Sequence, residues 1–122
     1  MFEQMDPAFQ LVANPGWSWR DGMRDLEGSR IVYGEWTDRP KGPRLAQVHI
    51  PDLGDAATAG VLLGMLQERG VLSDVVIQDG EWIVAVVLEG ELRGYVAESI
   101  GAAAAWALLA MWESDAQERM AN

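Results

Sequence analysis

Between residues 74 and 96 the chain reads Asp74-Val-Val-Ile-Gln78, Asp79-Gly80, Glu81-Trp-Ile-Val-Ala-Val-Val-Leu88, Glu89-Gly90 and Glu91-Leu-Arg-Gly-Tyr-Val96. Three runs rich in β-branched and aromatic residues are joined by two-residue acid–glycine turns. Asp-Gly is a strong hairpin signal because both central positions of a type I′ turn need positive φ. The pattern predicts a three-strand antiparallel meander. Trp82 to Leu88 contains no polar side chain. A strand covered on one face alternates, so this one is expected to be central and covered on both faces, by helices on each side or by a second subunit.

Two helices are expected beside the meander. Over about 56–69, Val61, Leu62, Met65 and Leu66 fall on one stripe, with Ala57 or Thr58 a turn earlier. Asp55 stands at the N-cap position and Gly70 at the position of a left-handed C-cap. Gly60 and Gly64, one turn apart, are read as letting this helix approach the sheet closely. Over about 99–118, opened by Glu98 or Ser99, an alanine run gives the strongest intrinsic helix propensity. Trp106 and Trp112 are about 600° apart in helical rotation and cannot share a face. With Trp112 toward the sheet, Trp106 looks toward the N-terminal segment or a partner subunit.

The first half is less regular. Asp6-Pro7 suggests a cap and first residue of a short leading helix. Trp17-Ser-Trp19 alternates as an extended strand would. Arg30 to Trp36 and Arg44 to Ile50 read as two strands of a hairpin whose loop, Thr37 to Pro43, is rich in turn formers. The expectation is one α+β domain over residues 1–122, with 1–29 its least regular part. Its sheet is mainly antiparallel, an N-terminal hairpin plus the meander, packed by two principal helices.

At 122 residues and 49% apolar, the chain has material for one core. It has no cysteine, which excludes disulfides, thiolate metal sites and cysteine nucleophiles. Acids near the N-terminus stand where an export signal would be basic, and the uncharged run Ile100 to Trp112 is too short to span a membrane. A cytoplasmic protein is expected. Net charge is −10, of which residues 51–122 hold −9 from twelve acids and three bases. That balance opposes direct nucleic-acid binding; it suits a basic protein partner or serves only to keep the protein soluble.

Each candidate site has a competing structural reading. Pro51 to Gly70 has the glycines of a phosphate loop but no lysine, and Asp52 and Asp55 would repel a phosphate; helix capping accounts for them. His49, Asp52 and Asp55 are the grouping that could bind a metal or supply a general base, against a histidine on the polar face of a strand. Trp17, Trp19 and Trp36 are expected in the core, with a ligand platform or protein interface as alternatives. Arg39, Lys41 and Arg44 read as a solvated hairpin tip. Asp74, Asp79, Glu81, Glu89 and Glu91 gather at the ends and turns of the meander. They are candidates for binding a basic partner, in the manner of a DNA mimic, or for preventing edge-to-edge pairing.

The segment Pro51-Asp-Leu-Gly-Asp-Ala-Ala-Thr-Ala-Gly-Val-Leu-Leu63, with Trp19-Arg-Asp-Gly-Met23 upstream and the alanine-rich helix downstream, resembles small uncharacterised proteins of bacteriophages and prophage regions, the phage α-β-α sandwich domain among them. Their proline is replaced here by Ala56, a position in the first helical turn. The likeness touches about 80 residues loosely and includes no catalytic motif. It implies a small α/β domain of phage or mobile-element origin. The functional expectation is a non-enzymatic accessory protein, without cofactor or metal, that inhibits a host defence complex as anti-CRISPR proteins do. The alternative is a structural or assembly protein, homodimeric through its last helix with Trp106 at the interface.

Overall fold

A computed structural model describes residues 6–37 and 49–121. The element order is α1 (Pro7–Ala13), β1 (Ile31–Val32), β2 (Glu35–Trp36), α2 (Ala56–Glu68), β3 (Leu72–Gln78), β4 (Glu81–Leu88), β5 (Glu91–Ala97) and α3 (Ile100–Ala121). This is an α+β fold in which the antiparallel sheet β3-β4-β5 packs against helices, with β1-β2 a separate two-stranded ribbon.

Local chemistry places each helix end. Asp6 Oδ1 accepts from the Ala8 amide at 2.8 Å, and Pro7 follows as first helical residue, so α1 starts as expected. Asp55 caps α2. At the other end Gly70 takes φ 71°, the Gly70 amide donates to the Gln67 carbonyl and the Val71 amide to the Leu66 carbonyl. That pair of bonds is a Schellman motif, which satisfies carbonyls the last turn leaves free. Ser99 Oγ accepts from the Ala102 amide at 3.1 Å and opens α3.

Helix α3 is the centre of the molecule, touching α1, α2, β4 and β5. Ala103, Ala104, Ala105, Ala107, Leu108 and Met111 are buried along it. Small side chains on several sides let a helix be surrounded by other elements without losing contact with any. Leu62, Met65 and Leu66 of α2 and Val84, Val86 and Leu88 of β4 complete the core, with Leu11 and Met23 from the first half. In β3 a bulge falls between Leu72 and Asp74, so Leu72 pairs with Val86 and Val75 with Val84. The extra residue, Ser73, lets two side chains three positions apart share the inner face.

Several expectations change. The helices lie on one face of the meander, and Val87 on the other is 43% exposed, so β4 is not covered on both faces by helices. Arg30 to Trp36 is not one strand; it turns back at Tyr33 (φ 52°) and Gly34 (φ 81°), pairing Ile31 with Trp36. The apolar character that suggested a strand belongs to both arms of a tight hairpin. Trp17 to Trp19 forms no strand, although the two indoles meet edge to face at 5.3 Å. Of the strand expected over Arg44 to Ile50, residues 44–48 lie outside the described residues, as do Arg39 and Lys41, and His49 and Ile50 are irregular. Gly60 and Gly64 do not approach the sheet: a Cβ at either would meet open space. The close approaches are at Gly16, under the Trp112 indole, and at Gly101, against the Leu53 carbonyl.

Candidate functional site

The stretch from Pro51 to Gly70 is built for capping. Asp55 Oδ2 accepts from the Thr58 amide at 2.9 Å and from Thr58 Oγ1 at 2.8 Å. The fully buried Thr58 hydroxyl oxygen accepts in turn from the Arg24 amide. Arg30 closes on Asp55 through two nitrogens at 3.0 and 2.9 Å, and also donates to the Gly22 carbonyl. The guanidinium bonds, with help from the Thr58 amide and hydroxyl, hold the Asp55 carboxyl far below the usual carboxylate range. A carboxylate thus occupies the helix N-terminus where an anion would bind. Asp52 Oδ1 accepts from the Gly54 amide, and Asp52 Oδ2 lies 3.6 Å from Arg24.

His49, Asp52 and Asp55 therefore go to three different partners. The His49 ring turns to Asp25, with Nδ1 and Oδ2 2.6 Å apart. Asp25 is 2% exposed, and its Oδ1 accepts from the amides of Glu27 and Ser29. One hydrogen bond thus joins the imidazole to the buried carboxyl group. The imidazole stacks on Trp36 (ring centroids 4.1 Å apart, planes at 10°), and Trp36 meets Trp19 edge to face. The chain Asp25–His49–Trp36–Trp19–Trp17 ties the β1-β2 ribbon and the segment before α2 to the N-terminal loop. Among the described residues no cluster of three or more His, Asp or Glu side chains could hold a metal ion. Asp25 escapes sequence reasoning because Asp25-Leu-Glu-Gly-Ser29 is an ordinary polar turn pattern, which says nothing of a partner 24 positions away.

The five meander acids are divided by the sheet rather than gathered. Asp79 (φ 54°) with Gly80, and Glu81, stand at one end; Glu89 (φ 53°) with Gly90, and Glu91, stand at the other. Eight residues of β4 separate the groups by about 23 Å at 3.3 Å per residue. Asp74 sits opposite Ala85, midway along the β3 edge. Arg93 lies 3.3 Å from Glu89 and 3.7 Å from Glu91, which compensates that end. No ion pair among the described residues involves Asp74, Asp79 or Glu81. The uncompensated acids thus lie at the Asp79 end and along β3.

Trp112 packs on the core and over Gly16, while Trp106, on another side of α3, is half-buried. A groove of about 380 Å³ runs beside Trp112 between Asn14, Arg69 and Arg119, and is crossed by the Arg69–Asp115 ion pair. No helix among the described residues is long and apolar enough to cross a membrane.

No family model, curated protein or solved structure matches this chain.

Proposed function

We propose that this protein acts by binding another protein, its acidic C-terminal half set against a basic surface of the partner. In concrete form it is an accessory protein of a phage or mobile element. It works in the host cytoplasm and inhibits a defence complex by occupying the surface with which that complex grips nucleic acid. The observation that carries this reading is the −9 charge of residues 51–122. Two of that half's three bases are already paired, Arg69 with Asp115 and Arg93 with Glu89, and the acids Asp74, Asp79 and Glu81 are exposed. Such a field steers a basic partner and competes with phosphate for the same lysines and arginines. The reading assigns the protein no reaction, cofactor or metal.

The test is titration of the purified protein into a purified nucleic-acid-guided defence effector, with target DNA as competitor. Mutual exclusion with DNA is expected, together with affinity that falls steeply with salt and weakens about tenfold in D74K/D79K/E81K. Binding that is indifferent to salt and to charge reversal overturns the mechanism.

The half-buried Trp106 favours a second reading, a structural or assembly accessory protein paired through α3. Sedimentation separates the two: a monomer at micromolar concentration removes the case for pairing through Trp106.

A further inference from the structure

The alternation of β4 sends Trp82, Val84, Val86 and Leu88 toward the helices and Ile83, Ala85 and Val87 to the opposite face. Register then assembles the outer face: Val76 lies beside Ile83, Ile83 beside Val96, Ala85 beside Gly94, and Val87 beside Leu92. These positions form one contiguous apolar surface across all three strands. Val76 is 40%, Val96 50% and Leu92 68% exposed. The Ile83 side chain leans over Gly94, where a Cβ would come within 3.2 Å of Ile83 Cγ2. An antiparallel sheet with one solvated face normally alternates to polar residues on that face. A contiguous apolar patch of a few hundred Å² on a protein surface is often functional.

The margin decides what binds there. Glu81 and Asp74 lie on the same outer face by register, opposite Gln78 and Ala85, and Asp79 stands at the adjoining turn. The meander's one base, Arg93, pairs with Val86 and so belongs to the inner face. Three strands of seven or eight residues present a face of about 23 by 14 Å, on the order of 300 Å². A stable complex buries about 800 Å² on each partner, so the remainder must come from the margin. Two copies of this chain, each of net charge −10, would set acid against acid there. A partner with an apolar centre and a lysine- or arginine-rich border is complementary throughout.

We infer that the outer face of β3-β4-β5 is the docking surface for a protein partner, with Val76, Ile83, Val87, Leu92 and Val96 meeting apolar side chains and Asp74, Asp79 and Glu81 meeting basic ones. This deepens the proposed function and rests on its basic partner.

The experiment uses the full chain and a fluorescent extended peptide of alternating leucine and lysine, with a leucine–glutamine peptide as control. The variants are V87N/L92N, at exposed positions, and D74K/E81K, each checked for its fold by circular dichroism. The lysine peptide should bind more tightly than the glutamine peptide. V87N/L92N should weaken it about tenfold at every salt concentration, and D74K/E81K about tenfold at low salt only. Equal binding by wild type and both variants overturns the inference. So does a wild-type dimer that V87N/L92N converts to monomer, which would make the occupant a second copy. Flotation of the wild type with uncharged phosphatidylcholine vesicles, lost in V87N/L92N, overturns it in favour of a lipid surface. If the defence effector fails to bind while the peptide results hold, the face stands and the proposed inhibitor role falls. If the effector binds V87N/L92N as well as wild type, the role stands and the face falls.

Discussion

Asp25 Oδ2 lies 2.6 Å from His49 Nδ1, and the same carboxylate accepts the amides of Glu27 and Ser29 through its other oxygen. One buried side chain therefore satisfies a turn and anchors the segment leading to α2. Removing it leaves two amides without their acceptor and the imidazole without its partner. Asp25→Ala is expected to cost about 3 kcal/mol, and Asp25→Asn less, because its carbonyl oxygen can still accept the turn amides. His49→Ala, which deletes a partly exposed ring, should cost about 1 kcal/mol. Urea unfolding of the three variants checks the order. An Asp25→Ala protein as stable as wild type would show that this contact does not hold the N-terminal loop.

Asp55 sets the acid limit. Its carboxyl is held well below its ordinary value of 3.8 by Arg30 first, and then by Thr58. A depressed folded pKa contributes stability that is fully present above the unfolded value and is lost as pH falls through the folded one. The Asp55 contribution should therefore be constant across neutrality and decline from about pH 4 downward, still partly present at about pH 2. Asp55→Asn retains an N-cap but loses the charge of the Arg30 pair. It should be about 2 kcal/mol less stable than wild type at neutral pH, and the gap should narrow as pH falls below 4. Thermal unfolding at several pH values reads both slopes. A constant gap at all pH values would exclude the carboxylate as the cause.

Glycines of the helices separate into two kinds. A Cβ at Gly60 meets nothing, and the residue is exposed on α2. Gly60→Ala should stabilise the protein by about 0.5–1 kcal/mol, the ordinary helix gain over glycine. At Gly101, in the first turn of α3, a Cβ would run into the Leu53 carbonyl group, which is backbone and cannot swing aside. Gly101→Ala should destabilise by about 2 kcal/mol or more. Opposite shifts in denaturation midpoint are the signature, and equal shifts would contradict the close approach of Leu53 to α3.

These contrasts show where the fold was legible in the sequence. The acid–glycine turns, the Asp55 and Gly70 caps and the apolar stripe of α2 are encoded within a few residues of where they act, and each forms as its local chemistry requires. Gly60 and Gly64 misled because spacing alone does not distinguish a glycine that admits a neighbour from one that faces solvent. Arg30–Asp55 and Asp25–His49 join residues 25 and 24 positions apart, and such pairs leave no periodic trace. The apolar run of β4 announced burial but not its cause. Its inner half meets α3, and its outer half is the open face on which the candidate site stands.

Tyr33 supplies the last test. It stands at the tip of the β1-β2 hairpin with φ 52° and 93% exposure, followed by Gly34 at φ 81°. Both values belong to a type I′ turn, where asparagine is favoured at the first position. A tyrosine in the left-handed region carries a steric cost of about 1 kcal/mol, and a side chain so exposed recovers little of it by packing. The turn is held instead by the Gly34 amide, which donates to Asp21 Oδ1 at 2.7 Å. Tyr33→Asn should therefore stabilise the protein by about 0.5–1 kcal/mol while leaving the Asp21 bond intact, whereas Gly34→Ala should destabilise it. A Tyr33→Asn variant that loses stability would mean that the tyrosine ring makes a contact worth more than the strain of its backbone.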